Sequence, residues 1–234
     1  RYRVGLQAAL EGVSFELAPG ERVALVGANG SGKSTLARLA KGLLIPTSGD
    51  VQVDGDSTAD PARRADAVRR VGLVFQNPDN QLVAPTVEDD VAFGPENLGL
   101  PPEEIAARVA DALAAVGLEE LRERPPHLLS GGQKQLVAVA GALALHPRYL
   151  VLDEATSMLD GGSRRALLSV VTRLCRERGM GVLHITHHME EAAAADRVLV
   201  LEQGRLVASG TPEEVFQDAD ALHRRGLELP PLAE

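Results

Sequence analysis

A glycine-rich loop near the start of the chain constrains the fold more than any other feature. It fits the pattern G-x-x-x-x-G-K-[ST], in which backbone N–H groups turn toward a bound phosphate, a lysine adds positive charge and a hydroxyl binds Mg²⁺. An apolar run at 22–26 precedes the loop, and a helix-forming stretch at 33–44 follows it. This order predicts a strand, a phosphate-binding loop and a helix whose N-terminus faces the anion. The predicted nucleotide-binding residues here are Gly27, Ala28, Asn29, Gly30, Ser31, Gly32, Lys33, Ser34 and Thr35.

Further apolar runs, at 71–75, 149–152 and 181–186, alternate with helical stretches. This alternation predicts a mostly parallel sheet, and the continuous apolar character of the runs indicates strands that are covered on both faces. A run at 198–207 is interrupted by Gln-Gly and predicts a hairpin. Residues 51–53 are expected to join an antiparallel edge formed by the N-terminal residues. The expected fold class is therefore α/β, with an antiparallel β edge.

Between 77 and about 145 the pattern changes, because prolines punctuate the sequence and apolar residues recur at helical spacing over 103–116. This indicates a helical subdomain inserted into an α/β core that is formed by 1–76 and 146–234. With 234 residues and 44% hydrophobic content, the chain can bury the core of one such domain.

An acidic pair, Asp153 and Glu154, follows directly after the apolar run at 149–152. This position is the carboxyl end of a buried strand, where open α/β sheets bind their ligands. Asp153 is therefore expected to hold Mg²⁺ directly or through water. Glu154 is expected to orient and polarise the attacking water, which is the work of a general base. An acidic pair on a surface loop is the alternative, and the phosphate-binding loop in the same chain disfavours it.

A second anion site is predicted at the segment Leu-Ser-Gly-Gly-Gln, residues 129–133, which precedes another helix-forming run. Ser130 lies at the cap position, and Gly131 and Gly132 are expected to let a phosphate approach the helix N-terminus beside Gln133. The helical insertion is expected to display this loop away from the first site. A second subunit would then supply it to the nucleotide.

Composition excludes some partners. The net charge is −9 with a pI near 5.2, whereas a nucleic-acid surface normally shows a basic face, so no nucleic-acid partner is expected.

The single cysteine, Cys175, cannot form an intramolecular disulfide, which is typical of a reducing compartment. No apolar run reaches the roughly 18 to 20 residues of a membrane span. The chain begins at Arg1 without a basic-then-apolar leader, so we expect no signal peptide and a membrane role only through partner proteins.

Together these motifs resemble those of the ATP-binding-cassette (ABC) ATPases over essentially the whole chain. The resemblance implies a P-loop NTPase with a RecA-like core that binds ATP and Mg²⁺. It also implies that Gln76 is the Q-loop glutamine that senses Mg²⁺, and that 157–160, ending in Asp160, is the D-loop at a dimer interface. His187 matches the switch histidine that contacts the γ-phosphate, and Tyr2 matches the aromatic residue that stacks on adenine.

A narrower resemblance links the chain to the ATPase subunits of energy-coupling-factor transporters and of related cobalt and nickel importers. It implies an ATP-hydrolysing subunit that pairs with a second ABC ATPase subunit, identical or homologous. It implies a transmembrane coupling subunit and a substrate-binding membrane subunit as further partners, at the cytoplasmic face of the membrane. Vitamins or transition-metal ions are the implied cargo. The stretches that carry this resemblance are 77–81, 86–97 and 155–160.

In that group the region after the Q-loop faces the groove in which a membrane subunit docks. The acidic residues Glu88, Asp89 and Asp90 are hypothesised to meet basic residues of that partner, although an acidic run is more often a solvated face. Two positions depart from the group: Leu136 replaces a common arginine, and His188 replaces a usual aspartate.

Other functions remain open at this point. The chain could serve a different ABC importer, or a soluble ABC ATPase of DNA repair or translation, although no tandem cassette, coiled-coil insertion or basic surface is visible. A GTPase is disfavoured because no Asn-Lys-x-Asp motif follows the loop. A regulator that binds nucleotide without turnover is disfavoured by Glu154.

Overall fold

The computed structural model describes residues 2–4 and 7–217. The strands in this part of the chain are β1 (Tyr2–Val4), β2 (Gln7–Leu10), β3 (Arg22–Val26), β4 (Gln52–Val53), β5 (Asp56–Ser57), β6 (Val71–Val74), β7 (Tyr149–Asp153), β8 (Gly181–Ile185), β9 (Arg197–Glu202) and β10 (Arg205–Gly210). The α-helices are α1 (Lys33–Ala40), α2 (Arg64–Arg69), α3 (Val87–Asn97), α4 (Pro102–Val116), α5 (Gly131–Leu143), α6 (Gly161–Arg178), α7 (Met189–Ala193) and α8 (Pro212–Phe216). Short 3₁₀ turns lie at Pro78–Asn80, Glu119–Leu121 and Pro126–Leu128.

Within the described residues, six strands form the main sheet in the order β10, β9, β3, β8, β7, β6. Neighbours from β9 to β6 are parallel, and β10 pairs with β9 antiparallel. Every residue of β6 and β8 is buried, as the continuous apolar runs predicted for strands covered on both faces. The predicted fold class, a mostly parallel sheet with an antiparallel edge, is confirmed.

The predicted hairpin joins β9 to β10 through Gln203 and Gly204, whose φ angles are 48° and 79°. The turn also packs against other parts of the chain. The N–H of Gly204 donates to the Ser31 carbonyl at 2.9 Å, and the Gly204 carbonyl accepts from Glu11 N–H at 2.8 Å. A Cβ at Gly204 would lie 2.6 Å from the Ala9 carbonyl oxygen, so only glycine fits this contact.

Two local predictions were wrong. Residues 51–53 do not join the N-terminal strands, because β4 pairs with β5 while β1 pairs with β2. The overlooked signal is the dipeptide Asp54-Gly55, whose φ angles of 52° and 84° form a tight hairpin turn. The helix predicted over 33–44 ends at Ala40, shortly before Gly42, which has φ 70° and is left-handed.

Helices α3, α4 and α5 lie between residues 87 and 143, inside the stretch predicted to be a helical insertion. Their buried faces include Val91, Leu113 and Val139, which belong to one hydrophobic cluster with Leu150 of β7 and Leu167 of α6. The helical part therefore packs onto the sheet through a continuous apolar core, and the domain boundaries at 76 and 145 stay a prediction. Among the described residues, no helix combines the length and apolar character needed to cross a bilayer.

Candidate nucleotide-binding site

A cavity of about 380 Å³ lies where β3 and β7 end and α1 begins. It brings together the phosphate-binding loop, the acidic pair at the end of β7 and Gln76 after β6, which were all predicted as site residues. Ala9, at the end of β2, was not predicted, because a small apolar residue in a short strand carries no chemical signal. The lining residues are Ala9, Asn29, Gly30, Gly32, Lys33, Ser34, Thr35, Gln76, Asp153 and Glu154.

Two glycines of the loop are required by close packing. A Cβ at Gly32, where φ is 107°, would lie 2.7 Å from Cδ2 of Leu10 and 2.8 Å from the Ala9 carbonyl oxygen. A Cβ at Gly27 would lie 2.2 Å from the Leu201 carbonyl oxygen. The loop is therefore wedged between β2 on one side and β9 on the other, and its shape is set by strands that lie far away in sequence.

Lys33 is the buried cation of the site, at 5% exposure. Its Nζ donates to the carbonyl oxygens of Gly27 and Ala28 at 2.7 and 3.1 Å, and it lies 3.6 Å from Oε1 of Glu154. The loop thus holds its own lysine head group inside the cavity. The positive charge that would pair with a phosphate lies directly beside the predicted general base.

Ser34 and Asp153 form an oxygen pair at the other side of the cavity. Ser34 Oγ donates to Oδ1 of Asp153 at 3.1 Å. Burial raises the pKa of Asp153, the Ser34 hydrogen bond lowers it, and the nearby Glu154 charge raises it. Hydroxyl and carboxylate oxygens suit Mg²⁺. Ser31 Oγ is also buried and has no hydrogen-bond partner among the described residues, which leaves a donor for a phosphate oxygen.

Glu154 has a left-handed backbone, with φ 54°, a conformation that a non-glycine residue adopts only when its surroundings impose it. Its N–H donates to the Ile185 carbonyl at 3.0 Å, which ties it to the end of β8. His187 follows β8, is half exposed, and places Nδ1 3.8 Å from Oε2 of Glu154. The predicted base and the predicted switch histidine are therefore neighbours.

Gln76 contacts the D-loop as well as the cavity. Its Nε2 donates to Ser157 Oγ at 3.0 Å, and Ser157 Oγ donates to the Glu154 carbonyl at 2.9 Å. The residue before Gln76 is also held by α5. Gln135 is fully buried, and its Nε2 donates to the Phe75 carbonyl at 2.9 Å. Neither contact was predicted, because Gln135 follows Gln133 and Lys134 in sequence and nothing local marks it as buried.

The segment 130–133 does not line the cavity formed by the described residues, but begins α5. Ser130 Oγ accepts from Gln133 N–H at 3.2 Å, and Ser130 N–H donates to Oε1 of Gln133 at 2.9 Å, which is a capping box. The two glycines differ. The Cβ position of Gly131 is open, whereas a Cβ at Gly132 would lie 2.5 Å from Cβ of Ser163. The space in the Cβ direction of Gly132 is thus filled by α6, so packing requires a glycine there, and the approach of a phosphate to 131–132 stays a prediction.

Asp160, another predicted binding residue, does not line the cavity. Asp160 caps α6 by accepting from the N–H groups of Gly162 and Ser163 at 2.9 and 3.0 Å. The hydroxyl and backbone hydrogen bonds of Ser163 hold the pKa of Asp160 below its usual range. Tyr2 lies in β1, and its side chain is outside the part of the chain that the structure describes.

The acidic run after the Q-loop makes contacts within the chain. Asp90 is buried, and its carboxylate accepts from the N–H groups of Val83 and Ala84 at 2.9 and 3.3 Å. Burial raises the pKa of Asp90. Glu88 pairs with Arg122. The hypothesis that this run meets a partner's basic residues therefore fails for Asp90, which is used to fix the loop at 83–84.

A phosphate-binding loop after β3, an acidic pair at the end of β7 in the same sheet and a capped helix at 131–143 define the class as a P-loop nucleotide-binding cassette. The family model for ABC transporters matches residues 10–157, and the chain belongs to this family. The predicted family is therefore confirmed, and the nucleotide that the domains of this family bind is ATP.

Similar proteins point to one group within the family. An energy-coupling factor transporter ATP-binding protein, EcfA1, of Symbiobacterium thermophilum is 58% identical over 97% of this chain and 79% of its own length. A cobalt import ATP-binding protein, CbiO, of Syntrophus aciditrophicus is 51% identical over 98% of this chain and 81% of its own length. The solved structure of cbiO1 from Clostridium perfringens, described as part of the ABC transporter complex cbiONQ, is 37% identical. Its TM-score is 0.83, and the match covers 92% of this chain and 87% of that one. The predicted likeness to energy-coupling-factor and cobalt importers is confirmed, and another kind of ABC ATPase is not favoured.

Proposed function

We propose that this chain is the ATP-hydrolysing subunit of an energy-coupling-factor importer, which drives uptake of vitamins or transition-metal ions through membrane subunits. The observation that carries the proposal is the 58% identity to an energy-coupling factor ATP-binding protein along 97% of the chain, supported by a cavity that Lys33, Gln76, Asp153 and Glu154 line together. The cargo would be chosen by a separate membrane subunit.

In this proposal the residues of the cavity divide the work of phosphoryl transfer. Lys33 and the loop N–H groups would hold the β- and γ-phosphates, and Ser31 Oγ would supply a further donor. Ser34, Asp153 and Gln76 would hold Mg²⁺, which when bound neutralises charge on the phosphate oxygens. Glu154 would orient the attacking water, and His187, 3.8 Å away, would contact the γ-phosphate from the same side.

The proposed active unit is a dimer of cassettes. Ser130, Gly131 and Gln133 sit at the N-terminus of α5, away from the cavity that holds Lys33 and Glu154. A helix N-terminus with an open glycine suits an anion. We therefore infer that 130–133 of one subunit completes the nucleotide site of its partner, with Asp160 near the contact between them.

The proposed location is the cytoplasmic face of the membrane, held there by a transmembrane coupling subunit and a substrate-binding subunit. The supporting observation is that the relatives are named as transporter or import proteins and that one belongs to a multi-subunit transporter complex. Expression with an affinity tag, extraction of membranes in mild detergent and identification of co-purified chains tests this. Recovery of the chain without any membrane protein would contradict it.

ATP hydrolysis by the purified chain tests the dimer. Specific activity is expected to rise with protein concentration, because the complete site forms only when two subunits meet. A strictly monomeric preparation that hydrolyses ATP at an undiminished rate on dilution would contradict the proposal.

A further inference from the structure

A buried carboxylate lies behind the nucleotide site and contacts several segments that carry predicted site residues. Glu191 lies in the first turn of α7 and is only 4% exposed. A carboxylate removed from water is costly unless hydrogen bonds or a positive charge compensate it. The contacts of Glu191 therefore identify the parts of the chain that it joins.

Two threonine hydroxyls donate to the same oxygen of this carboxylate. Thr156 Oγ1 lies 2.9 Å from Oε2 of Glu191, and Thr186 Oγ1 lies 2.5 Å from it. Both threonines are fully buried. The other oxygen, Oε1, lies 3.6 Å from Nε of Arg164 in the first turn of α6. One side chain thus joins the ends of β7 and β8 and the start of α6.

Thr186 connects this carboxylate to the backbone on both sides of His187. Its hydroxyl donates to Glu191 and accepts from the N–H of His188 at 3.0 Å. Its own N–H donates to the Leu25 carbonyl at 3.2 Å, which anchors it to β3. Hydrogen bonds of Thr186 and His188 therefore fix the backbone on both sides of His187, while the His187 ring stays half exposed near Glu154.

Thr156 and Arg164 connect the same carboxylate to the D-loop. Thr156 lies between Glu154 and Ser157, the residue that binds Gln76. The Thr156 carbonyl accepts from Leu159 N–H at 3.1 Å, and Arg164 N–H donates to the Asp160 carbonyl at 2.9 Å. Glu191 therefore contacts one residue on each side of the D-loop, Thr156 through a hydrogen bond and Arg164 through an ion pair.

Two histidines complete the surroundings. His184 Nε2 lies 3.3 Å from Oε2 of Glu191 without hydrogen-bond geometry, and burial lowers the pKa of His184 to about 4. Burial also lowers the pKa of His188. At neutral pH both rings are therefore uncharged, and Arg164 is the cation that faces the carboxylate.

We propose that Glu191 is a positioning residue for ATP hydrolysis, which keeps His187 and the segment from Glu154 to Asp160 in one fixed arrangement without touching the nucleotide. The inference rests on the proposed hydrolytic function. Because Glu191 acts through other residues and not on the phosphates that bind to the loop, its loss is expected to lower kcat and to leave KM for ATP near the wild-type value.

Four variants separate this role from a general effect on folding. Glu191→Leu removes the shared acceptor. Thr186→Val removes one hydroxyl at constant shape, and Thr186→Ser restores it. Glu190→Leu is the matched control, since Glu190 is an exposed carboxylate on the same helix.

We expect Glu191→Leu and Thr186→Val to lower kcat by about tenfold to 100-fold, the size of effect that a small displacement of catalytic groups produces. Thr186→Ser and Glu190→Leu should stay near wild type. Each variant is checked by circular dichroism and by nucleotide affinity. If Glu191→Leu does not fold, the two Thr186 variants decide. Folded Glu191→Leu or Thr186→Val protein with wild-type kcat would overturn the proposal while leaving the hydrolytic function intact.

A second measurement does not depend on activity. Imidazole NMR resonances of His187, assigned with a His187→Gln variant, are expected to shift in Thr186→Val and to be unchanged in Thr186→Ser and Glu190→Leu. If the wild-type chain hydrolyses no ATP, the proposed function fails, and these spectra still test whether Glu191 and Thr186 set the position of His187. Unchanged His187 resonances in Thr186→Val would overturn the positioning role.

Discussion

At the scale of single residues, the site depends on side chains held in unusual states. Glu154 combines a left-handed backbone with a carboxylate placed between Lys33 and His187, at 3.6 and 3.8 Å. Such strain persists only where the surrounding structure imposes it. Here the hydrogen bond from its N–H to β8 imposes the conformation, so the carboxylate points into the cavity.

Glu154→Gln is expected to bind ATP and to hydrolyse it about 10² to 10⁴ times more slowly, because an amide of the same shape cannot accept the proton from water. Nucleotide titration and phosphate release measure the two effects. Glu190→Gln, an exposed change of the same kind, is the control and should leave both unchanged. Turnover of Glu154→Gln at the wild-type rate would assign the base to another residue.

His184 gives the chain a stability that depends on pH. Its ring is fully buried among Glu191, Arg22 and His188, and burial dominates, so its pKa falls from 6.5 to about 4. A lowered histidine pKa means that the folded state binds fewer protons than the unfolded state below pH 6.5. The contribution of neutral His184 to the free energy of unfolding is therefore fully present above about pH 6.5 and is lost as the pH falls toward 4.

From the size of the pKa shift, the expected loss totals about 3 kcal/mol by about pH 4, of which about 2 kcal/mol falls between pH 7 and 5. Urea unfolding of the wild type and of His184→Leu between pH 7 and 5 measures it. The free energy of unfolding should fall more steeply for the wild type than for His184→Leu, whereas exposed His127→Gln should follow the wild type. Equal slopes for wild type and His184→Leu would show that His184 does not titrate in this range.

At the scale of elements, the two glycines at the N-terminus of α5 differ in their packing. Gly132 packs against Ser163 of α6, and Gly131 has free space at its Cβ position. The helix is fixed further by the capping box and by Gln135, which reaches the end of β6. The predicted second anion site therefore lies at a helix end that is fixed by packing and does not line the cavity of Lys33 and Glu154.

Gly132→Ala is expected to destabilise the chain by about 1 to 3 kcal/mol, because the added methyl group would overlap the Ser163 side chain. Gly131→Ala is the matched comparison and should unfold at the wild-type denaturant concentration. In the double variant Gly132→Ala with Ser163→Gly, removal of the opposing side chain should recover part of the loss. Equal stability of the two alanine variants would contradict the packing described for Gly132.

Gly131→Ala separates folding from function. If the phosphate of a partner's nucleotide approaches this open glycine, the variant should fold normally and hydrolyse ATP more slowly. Normal hydrolysis by Gly131→Ala would argue against contact at that position.

At the scale of the whole molecule, the proposed dimer requires each chain to carry two separate halves of a nucleotide site. A Lys33→Ala chain retains 130–133, and a Ser130→Ala chain retains the phosphate loop. In a dimer of the two, one site pairs an intact loop with an intact α5 N-terminus. Random pairing of equal amounts should therefore restore roughly a quarter of the wild-type activity. Absence of recovery at every mixing ratio would contradict the shared site.

Much of the molecule could be predicted because its signals are local. The phosphate loop, the buried strands and the cap at Ser130 each depend on residues close in sequence, and the structure places them as expected. The wedge of Gly27 against Leu201 could not be foreseen, since it joins positions that meet only in the folded sheet. Asp90 was misjudged for a similar reason. Its burial depends on two N–H groups of a neighbouring loop, which composition does not reveal.

The packing of the phosphate loop against β9 and the Gln203-Gly204 turn bears on how the chain acquires its activity during synthesis. The loop leaves the ribosome early, whereas Leu201 and Gly204, which hold its backbone through close contact and a hydrogen bond to Ser31, are made much later. A nascent chain that has passed residue 187 carries every sequence motif of the predicted nucleotide site and still lacks Leu201 and Gly204, which support the loop. Competence to capture nucleotide is therefore delayed until the last hairpin of the sheet has been translated and docked.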